Sequence, residues 1–303
     1  MAFLWGVRYD RILWKKCNLP ETRRQSGKTT YKCRNYMGIQ KLIFGKAHGS
    51  RVKLNVRKGN EGTMLSYAFV TDQGMRETNE DSAGYAVSGE RNLYLVADGL
   101  GGHGNGDFAS RFVVDYIEAA LDADDSLPVA DYIEGAQSAL LEEQKKRKAE
   151  SSMKTTITCL ELSGKEARMW HVGDSRIYWF HKGKYKARTK DHSVPQMLYM
   201  SGQIREKDIR HHEDRSRLLK VMGTEWNTPQ YECSEKICLG KNESFLLCSD
   251  GFWELIEERE MQRLLKKAAG PQEWLASMKE VVMQNGRGTN MDNFTALAVF
   301  VRE

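Results

Sequence analysis

The chain has 303 residues, enough to bury a full core in a domain of about 240 residues and still carry an appendage. Hydrophobic residues make up 40%, and no apolar run is long enough to cross a bilayer. The start, MAFLWGVRYDRILWKK, is broken by Arg8, Asp10 and Arg11 and makes a poor signal peptide. Six cysteines without a C-x-x-C pair argue for reduced thiols, so a cytoplasmic protein is expected. The net charge of +5 hides an asymmetry: the first 60 residues hold 15 Lys or Arg against Asp10 and Glu21, a local +13 that leaves −8 on the remainder. A nucleic-acid reading of the whole-chain charge therefore rests on the wrong segment.

Residues 1–63 form a basic N-terminal extension, expected to be poorly ordered, without a sustained period of two or 3.6. Short runs at 37–44 and 52–56 can pair as strands. Its candidate roles are contact with nucleic acid or an anionic membrane, docking, or none, as a leader translated from an upstream start. Ser26-Gly27-Lys28-Thr29-Thr30 fails as a phosphate-binding loop, because Thr22 stands where the first glycine is required.

The compact domain is expected over residues 64–303. Residues 65–71 read as a strand, followed by TDQGMRETNEDSAGYA, a polar stretch holding Arg76, Glu80 and Asp81. Residues 85–87 and 93–97 read as two more strands, joined around Ser88-Gly89. The second ends in Asp98 and a glycine-rich turn, where Gly99, Gly101 and Gly102 let the backbone approach a bound group. Phe108, Phe112, Val113, Tyr116, Ile117 and Leu121 then recur at helical spacing. Pro128 opens a second helical run, expected to dissolve into the charged EEQKKRKAESS. Three short strands follow at 155–162, 167–172 and 175–180, and such close spacing predicts antiparallel sheet. Asp174 lies in the turn of HVGDSR. Residues 191–228 are polar and read as a flap of short helices; His211-His212 there is expected to be solvent-exposed, since neighbours on a helix point apart. Residues 245–248 end in Ser249-Asp250-Gly251, two amphipathic helices follow, and a glycine- and asparagine-rich loop delivers Asp292-Asn293 to the last strand at 295–301.

Asp98, Asp250 and Asp292, with Glu80, Asp81 and Asp174, make an all-oxygen ligand set. His and Cys take no part in it, which favours Mg²⁺ or Mn²⁺ over zinc, with calcium as the competing reading. Two ions roughly 4 Å apart would activate a bridging water and neutralise a phosphate oxygen.

At this point the sequence resembles the type 2C metal-dependent serine/threonine protein phosphatases, especially bacterial members. The resemblance runs from about Met64 to Glu303 through RETNEDS, VADGLGGHGNG, SMKTT, HVGDSRIYWF, KDHS, LLCSDGFWE and MDNFTALAV, in the family's order. It implies an α+β fold: a four-layer α-β-β-α sandwich with two central antiparallel sheets and a metal centre at one end. It also implies hydrolysis of phosphoserine and phosphothreonine on proteins by a metal-bridging hydroxide, with Mn²⁺ or Mg²⁺ at two core sites and a weaker third. In that scheme Asp98 bridges the two ions, the Gly99 carbonyl and Glu80 help to hold the second, and Asp250 and Asp292 hold the first. Asp81 and Asn293 support these ligands, Arg76 binds the substrate phosphate, and Asp174 with Asp250 holds the third ion. The implied partners are phosphorylated proteins, targets of a serine/threonine kinase, and a monomer is expected. Two departures stand out: Leu100 follows Asp98-Gly99 where some eukaryotic members have His, and Lys154 stands where Gly is usual. His103 is expected to be structural. The competing functions are a small-molecule phosphatase and a catalytically weak regulatory pseudophosphatase.

Overall fold

The computed structural model describes residues 19–25, 28–34, 53–58, 64–101 and 105–303, with side chains from residue 64 onward. His103 and the run at 37–44 lie outside the described residues. The chain divides into two compact units, residues 1–46 and 47–303. In the first, β1 (Leu19–Gln25) and β2 (Lys28–Arg34) form an antiparallel hairpin.

The second unit follows the alternation of strand and helix signals closely. In chain order come β3 (Lys53–Lys58), β4 (Met64–Asp72), β5 (Asp81–Ser88), β6 (Arg91–Leu100), α1 (Gly106–Ala123) and α2 (Val129–Arg147). Next are β7 (Lys154–Thr155), β8 (Ile157–Ser163), β9 (Glu166–Val172), β10 (Arg176–His181) and β11 (Lys184–Arg188). Residues 191–228 hold α3 (Val194–Met200) and a 3₁₀ helix, Glu206–His211. The chain closes with β12 (Glu232–Cys233), β13 (Ile237–Cys238), β14 (Glu243–Cys248), α4 (Asp250–Trp253), α5 (Glu258–Leu265), α6 (Pro271–Asn285) and β15 (Phe294–Arg302).

Two antiparallel sheets result. One runs β11-β10-β14-β15-β4-β3; the other runs β12-β9-β8-β6-β5, with β13 added on β9 and β7 on β6. β15 shows why its sequence is apolar almost throughout. Phe294, Ala296, Ala298 and Phe300 pack into one core with Trp274, Leu275 and Met278 of α6, while the alternate residues are also buried, on the opposite side. In the other sheet Leu93, Leu95 and Ala97 of β6 pack against Val113, Ile117 and Leu121 of α1 and Ile133 of α2. Tyr67 of β4 meets Tyr85 of β5 and Tyr94 of β6 between the sheets, ring centroids 4.6 and 5.2 Å apart. The four layers are thus α-β-β-α, as the resemblance implied.

Four elements differ from the sequence expectation. β5 and β6 extend through their acidic residues, because the ladder continues until Asp81 stands directly opposite Asp98. α2 runs to Arg147 rather than fraying after Leu141. Buried Gln144 anchors that end by donating to the Met153 and Gly223 carbonyls at 2.6 and 2.8 Å. Finally, His211 is exposed as expected, but the flanking Ile209 is buried, so this stretch is packed down rather than merely solvated.

Candidate metal centre

Period-two alternation decides where the acids go. On β6, Leu93, Leu95 and Ala97 face the helices, so Tyr94, Val96 and Asp98 face the other sheet. On β5, Ala86 faces the helices, and Asp81 lies on the same face as Tyr85. Asp81 and Asp98 therefore emerge at one end of the interface between sheets. Ser249, just beyond β14, reaches them from the opposite sheet and donates to Asp81 Oδ2 at 2.7 Å. Asp81 Oδ1 is buried and has no hydrogen-bond partner among the described residues, an oxygen left available at this position.

Asp98 is held through its backbone. Its N–H donates to Thr156 Oγ1 at 3.0 Å, and its carbonyl accepts from Thr155 Oγ1 and Thr156 N, both at 2.8 Å. Gly99 must be glycine: a Cβ there would lie 2.2 Å from the Gly106 carbonyl oxygen and 2.7 Å from that of Glu80. This close packing lets Gly99 N donate to Glu80 O at 3.1 Å, so Glu80 and Gly99 travel together. Lys154 pairs with Leu100 in an unbroken register.

The remaining acids arrive on loops and a helix start. Asp250 opens α4. Asn293 Oδ1 accepts from Glu80 N at 2.9 Å, while its Nδ2 donates to the Gln73 and Thr78 carbonyls, which clamps the 73–80 loop to the loop carrying Asp292. Gly74, at φ +61°, is packed so closely that a Cβ would sit 2.2 Å from Asp292 O. That approach brings the exposed Arg76 guanidinium within 2.7 Å of Asp292 Oδ2. Asp174 is buried in its turn, and its carbonyl accepts from Trp253 Nε1 at 3.0 Å.

Electrostatics mark the set as cation-demanding. Burial first, then Asp81, Asp250, Asp174 and Asp292, raise the Asp98 carboxyl well above the ordinary range, although its residue keeps a partly open flank. Asp250 is pushed up to about 7 by burial, Glu254 and Asp292. Asp81 also rises to about 7 through burial, opposed by hydrogen bonds from Ser249 and Thr295. Asp174 is raised by burial, Asp250 and Asp191, and Glu80 by burial, Asp107 and Asp292. Hard oxygen donors, an unpartnered buried oxygen and mutual repulsion suit divalent cations.

The structure also brings together residues that sequence reasoning passed over. Among the described residues, the His, Cys, Asp and Glu group with three ligand atoms within 4.8 Å of one another is His171, His192 and Glu232, a set close enough to hold one divalent ion. The histidines are buried and Glu232 is exposed. Both histidines belong to motifs already noted, HVGDSR and KDHS, but Glu232 is distant in sequence and carries no motif.

An antiparallel α-β-β-α sandwich with carboxylates gathered at one sheet end defines a class of metal-dependent hydrolase. The protein phosphatase 2C profile matches residues 74–291. The chain is 31% identical over 208 residues to the serine/threonine phosphatase stp of Listeria innocua, covering 65% of this chain and 82% of that one. It is 28% identical over 245 residues to the serine/threonine protein phosphatase PstP of Mycobacterium tuberculosis, covering 78% and 45%. Among solved structures, Stp1 from Staphylococcus aureus superposes with a TM-score of 0.70 at 25% identity, over 86% of this chain and 100% of that one. The PstP catalytic domain in complex with two manganese ions gives 0.66 at 26%, over 80% and 100%. The chain belongs to the protein phosphatase 2C family of metal-dependent serine/threonine protein phosphatases. Among the described residues no helix is long and apolar enough to cross a membrane.

Proposed function

We propose that this chain hydrolyses phosphoserine and phosphothreonine monoesters on proteins, opposing a serine/threonine kinase in the cytoplasm. The observation that carries the reading is the convergence of Asp81, Asp98, Asp174 and Asp250 at one end of the sheet interface, where burial and the repulsion of neighbouring carboxylates raise all four carboxyl pKa values, with Asp292 at the same rim. Asp98, Asp250 and Asp292, with Glu80 and the Gly99 carbonyl, would hold two Mn²⁺ or Mg²⁺ ions, and Asp174 with Asp250 a weaker third. Bound there, such ions supply a water acidified toward neutrality and neutralise phosphate charge. Asp81 and Asn293 fix these ligands from behind, the first on Ser249 and the second by tying Glu80 to Gln73 and Thr78. Arg76 binds the phosphate: its forked donors, one of them now on Asp292, can turn to a phosphoryl oxygen arriving at the same rim. No side-chain nucleophile is required of a site built from carboxylates. The domain over residues 64–303 carries the reaction, and the basic residues 1–63 are an extension whose β3 adds an edge strand to its sheet.

The test is phosphate release from a phosphothreonine peptide and, separately, from small phosphate monoesters, first with chelator and then with Mn²⁺. Peptide turnover that appears with Mn²⁺ and falls by at least about 10²-fold in Asp98→Asn supports the proposal. Turnover confined to small esters points to a metabolite phosphatase, and a folded chain that binds Mn²⁺ but releases nothing overturns the enzymatic reading.

A further inference from the structure

His192 is buried at the start of the flap, and five contacts converge on it. Its backbone N–H donates to Gly173 O at 2.9 Å, and its Nδ1 accepts from Gly173 N at 3.1 Å, so one residue holds both polar groups of Gly173. Its carbonyl accepts from Leu219 N at 2.7 Å, beside the bridge between Ser193 and Leu218. Its Nε2 lies 3.0 Å from Glu232 Oε1, which Lys220 also reaches at 3.2 Å. The ring stacks on His171 with centroids 4.5 Å apart and planes at 20°. His171 in turn donates from Nε2 to the Lys190 carbonyl at 2.7 Å, two residues before His192.

Gly173 precedes Asp174 and is itself constrained, at φ +102° with a would-be Cβ 2.6 Å from Thr156 Cγ2. Thr156 is the residue whose hydroxyl accepts from Asp98 N and pairs with Ser175 at 2.7 Å. The turn is thus held from the Asp98 side by Thr156 and from the flap side by His192. Because Gly173 N is a donor, Nδ1 must present its lone pair, and the single proton of neutral His192 sits on Nε2, toward Glu232.

We propose that His192 is a positioning residue: by accepting the Gly173 amide at Nδ1 it fixes the turn that carries Asp174 and couples that turn to the flap through Leu219. The proposal rests on the reading of Asp174 as part of the phosphatase centre. It treats the histidine pair as a hydrogen-bonded bracket, with ion binding at the pair left as an outcome of the test.

Two substitutions separate the bracket from mere packing. In His192→Asn, Oδ1 stands where Nδ1 stood and still accepts from Gly173. In His192→Phe, the ring and its stacking remain but the acceptor is lost. Full-length metal-free chains are compared by amide hydrogen exchange at Gly173 and by thermal midpoint, and the Mn²⁺-loaded chains by kcat and KM on a phosphothreonine peptide. The expected result is about tenfold faster exchange of the Gly173 amide and about tenfold lower kcat in His192→Phe, the worth of one buried hydrogen bond, with His192→Asn close to wild type. In an Asp174→Asn background His192→Phe should lower kcat no further. The proposal is overturned if both variants exchange like wild type, or if both lose exchange protection and kcat equally in step with their midpoints. It is also overturned if Zn²⁺ or Mn²⁺ binds wild type stoichiometrically in a manner abolished by both substitutions. Absence of peptide turnover in wild type would instead remove the phosphatase reading, while the exchange data still judge the bracket.

Discussion

Two sets of aspartates lie near the same end of the sheets and behave in opposite ways. Asp191 is fully enclosed, and burial alone would raise its pKa. The Arg176 fork grips it at 2.8 and 2.6 Å and Arg188 adds a third donor, holding it below the ordinary carboxylate range. Arg176 is further pinned by stacking 3.3 Å above Trp253. A few residues away, no guanidinium among the described residues grips Asp81, Asp98, Asp174 or Asp250, and all are raised. The same side chain in similar surroundings is either a completed structural joint or an open demand for positive charge, and the presence of a protein cation decides which.

The largest expected effect comes from breaking the completed joint. Arg176→Leu should cost about 3 kcal/mol in urea unfolding, because Asp191 would be left buried with only the longer Arg188 contact at 3.3 Å. Asp191→Asn should cost less, since the remaining amide can still accept one Arg176 bond. Equal, negligible losses in both would erase the contrast between the sets.

A pH series sharpens it. Asp81 and Asp250 have folded values near 7 against ordinary values of 3.8. The folded chain therefore holds more protons than the unfolded chain between about pH 4 and 7, and metal-free stability should fall as pH rises through that window, by a few kcal/mol in all. Asp191 has the opposite sign, and its contribution is lost as pH falls below its ordinary value. Saturating Mn²⁺ should flatten the decline toward pH 7, measured by the thermal midpoint with and without chelator.

Smaller still, Asp98→Asn should raise metal-free stability at pH 8 by roughly 1–3 kcal/mol while removing activity, since it relieves repulsion among the raised carboxyls. A stability loss would mean that Asp98 is paired by the protein after all. Least of all, Arg76→Ala should leave stability within about 0.5 kcal/mol, because its pair with Asp292 is exposed, yet it should raise KM for a phosphopeptide.

Much of this was legible in the sequence. The apolar run of β15 and the helical repeats of α1 located the strands and helices, because each is a local pattern imposed by burial on one or both faces, while the four layers came with the family resemblance that the ordered acidic motifs carry. What was not legible depends on partners distant in the chain. The extra length of α2 rests on Gln144 finding the Gly223 carbonyl, and the grip of Arg176 on Asp191 looks in sequence like one more charge in a polar flap. The His171, His192 and Glu232 group needs Glu232 to be brought beside β9 by a two-residue strand, a pairing no motif announces.

The most direct test of the account is calorimetric Mn²⁺ titration of the chelator-stripped chain, in wild type, Asp98→Asn and His192→Asn. The account predicts two strong sites in wild type and in His192→Asn, with loss of strong binding in Asp98→Asn. Strong binding that survives Asp98→Asn and disappears in His192→Asn would move the metal centre to the histidine pair and contradict the assignment of the acidic sheet end.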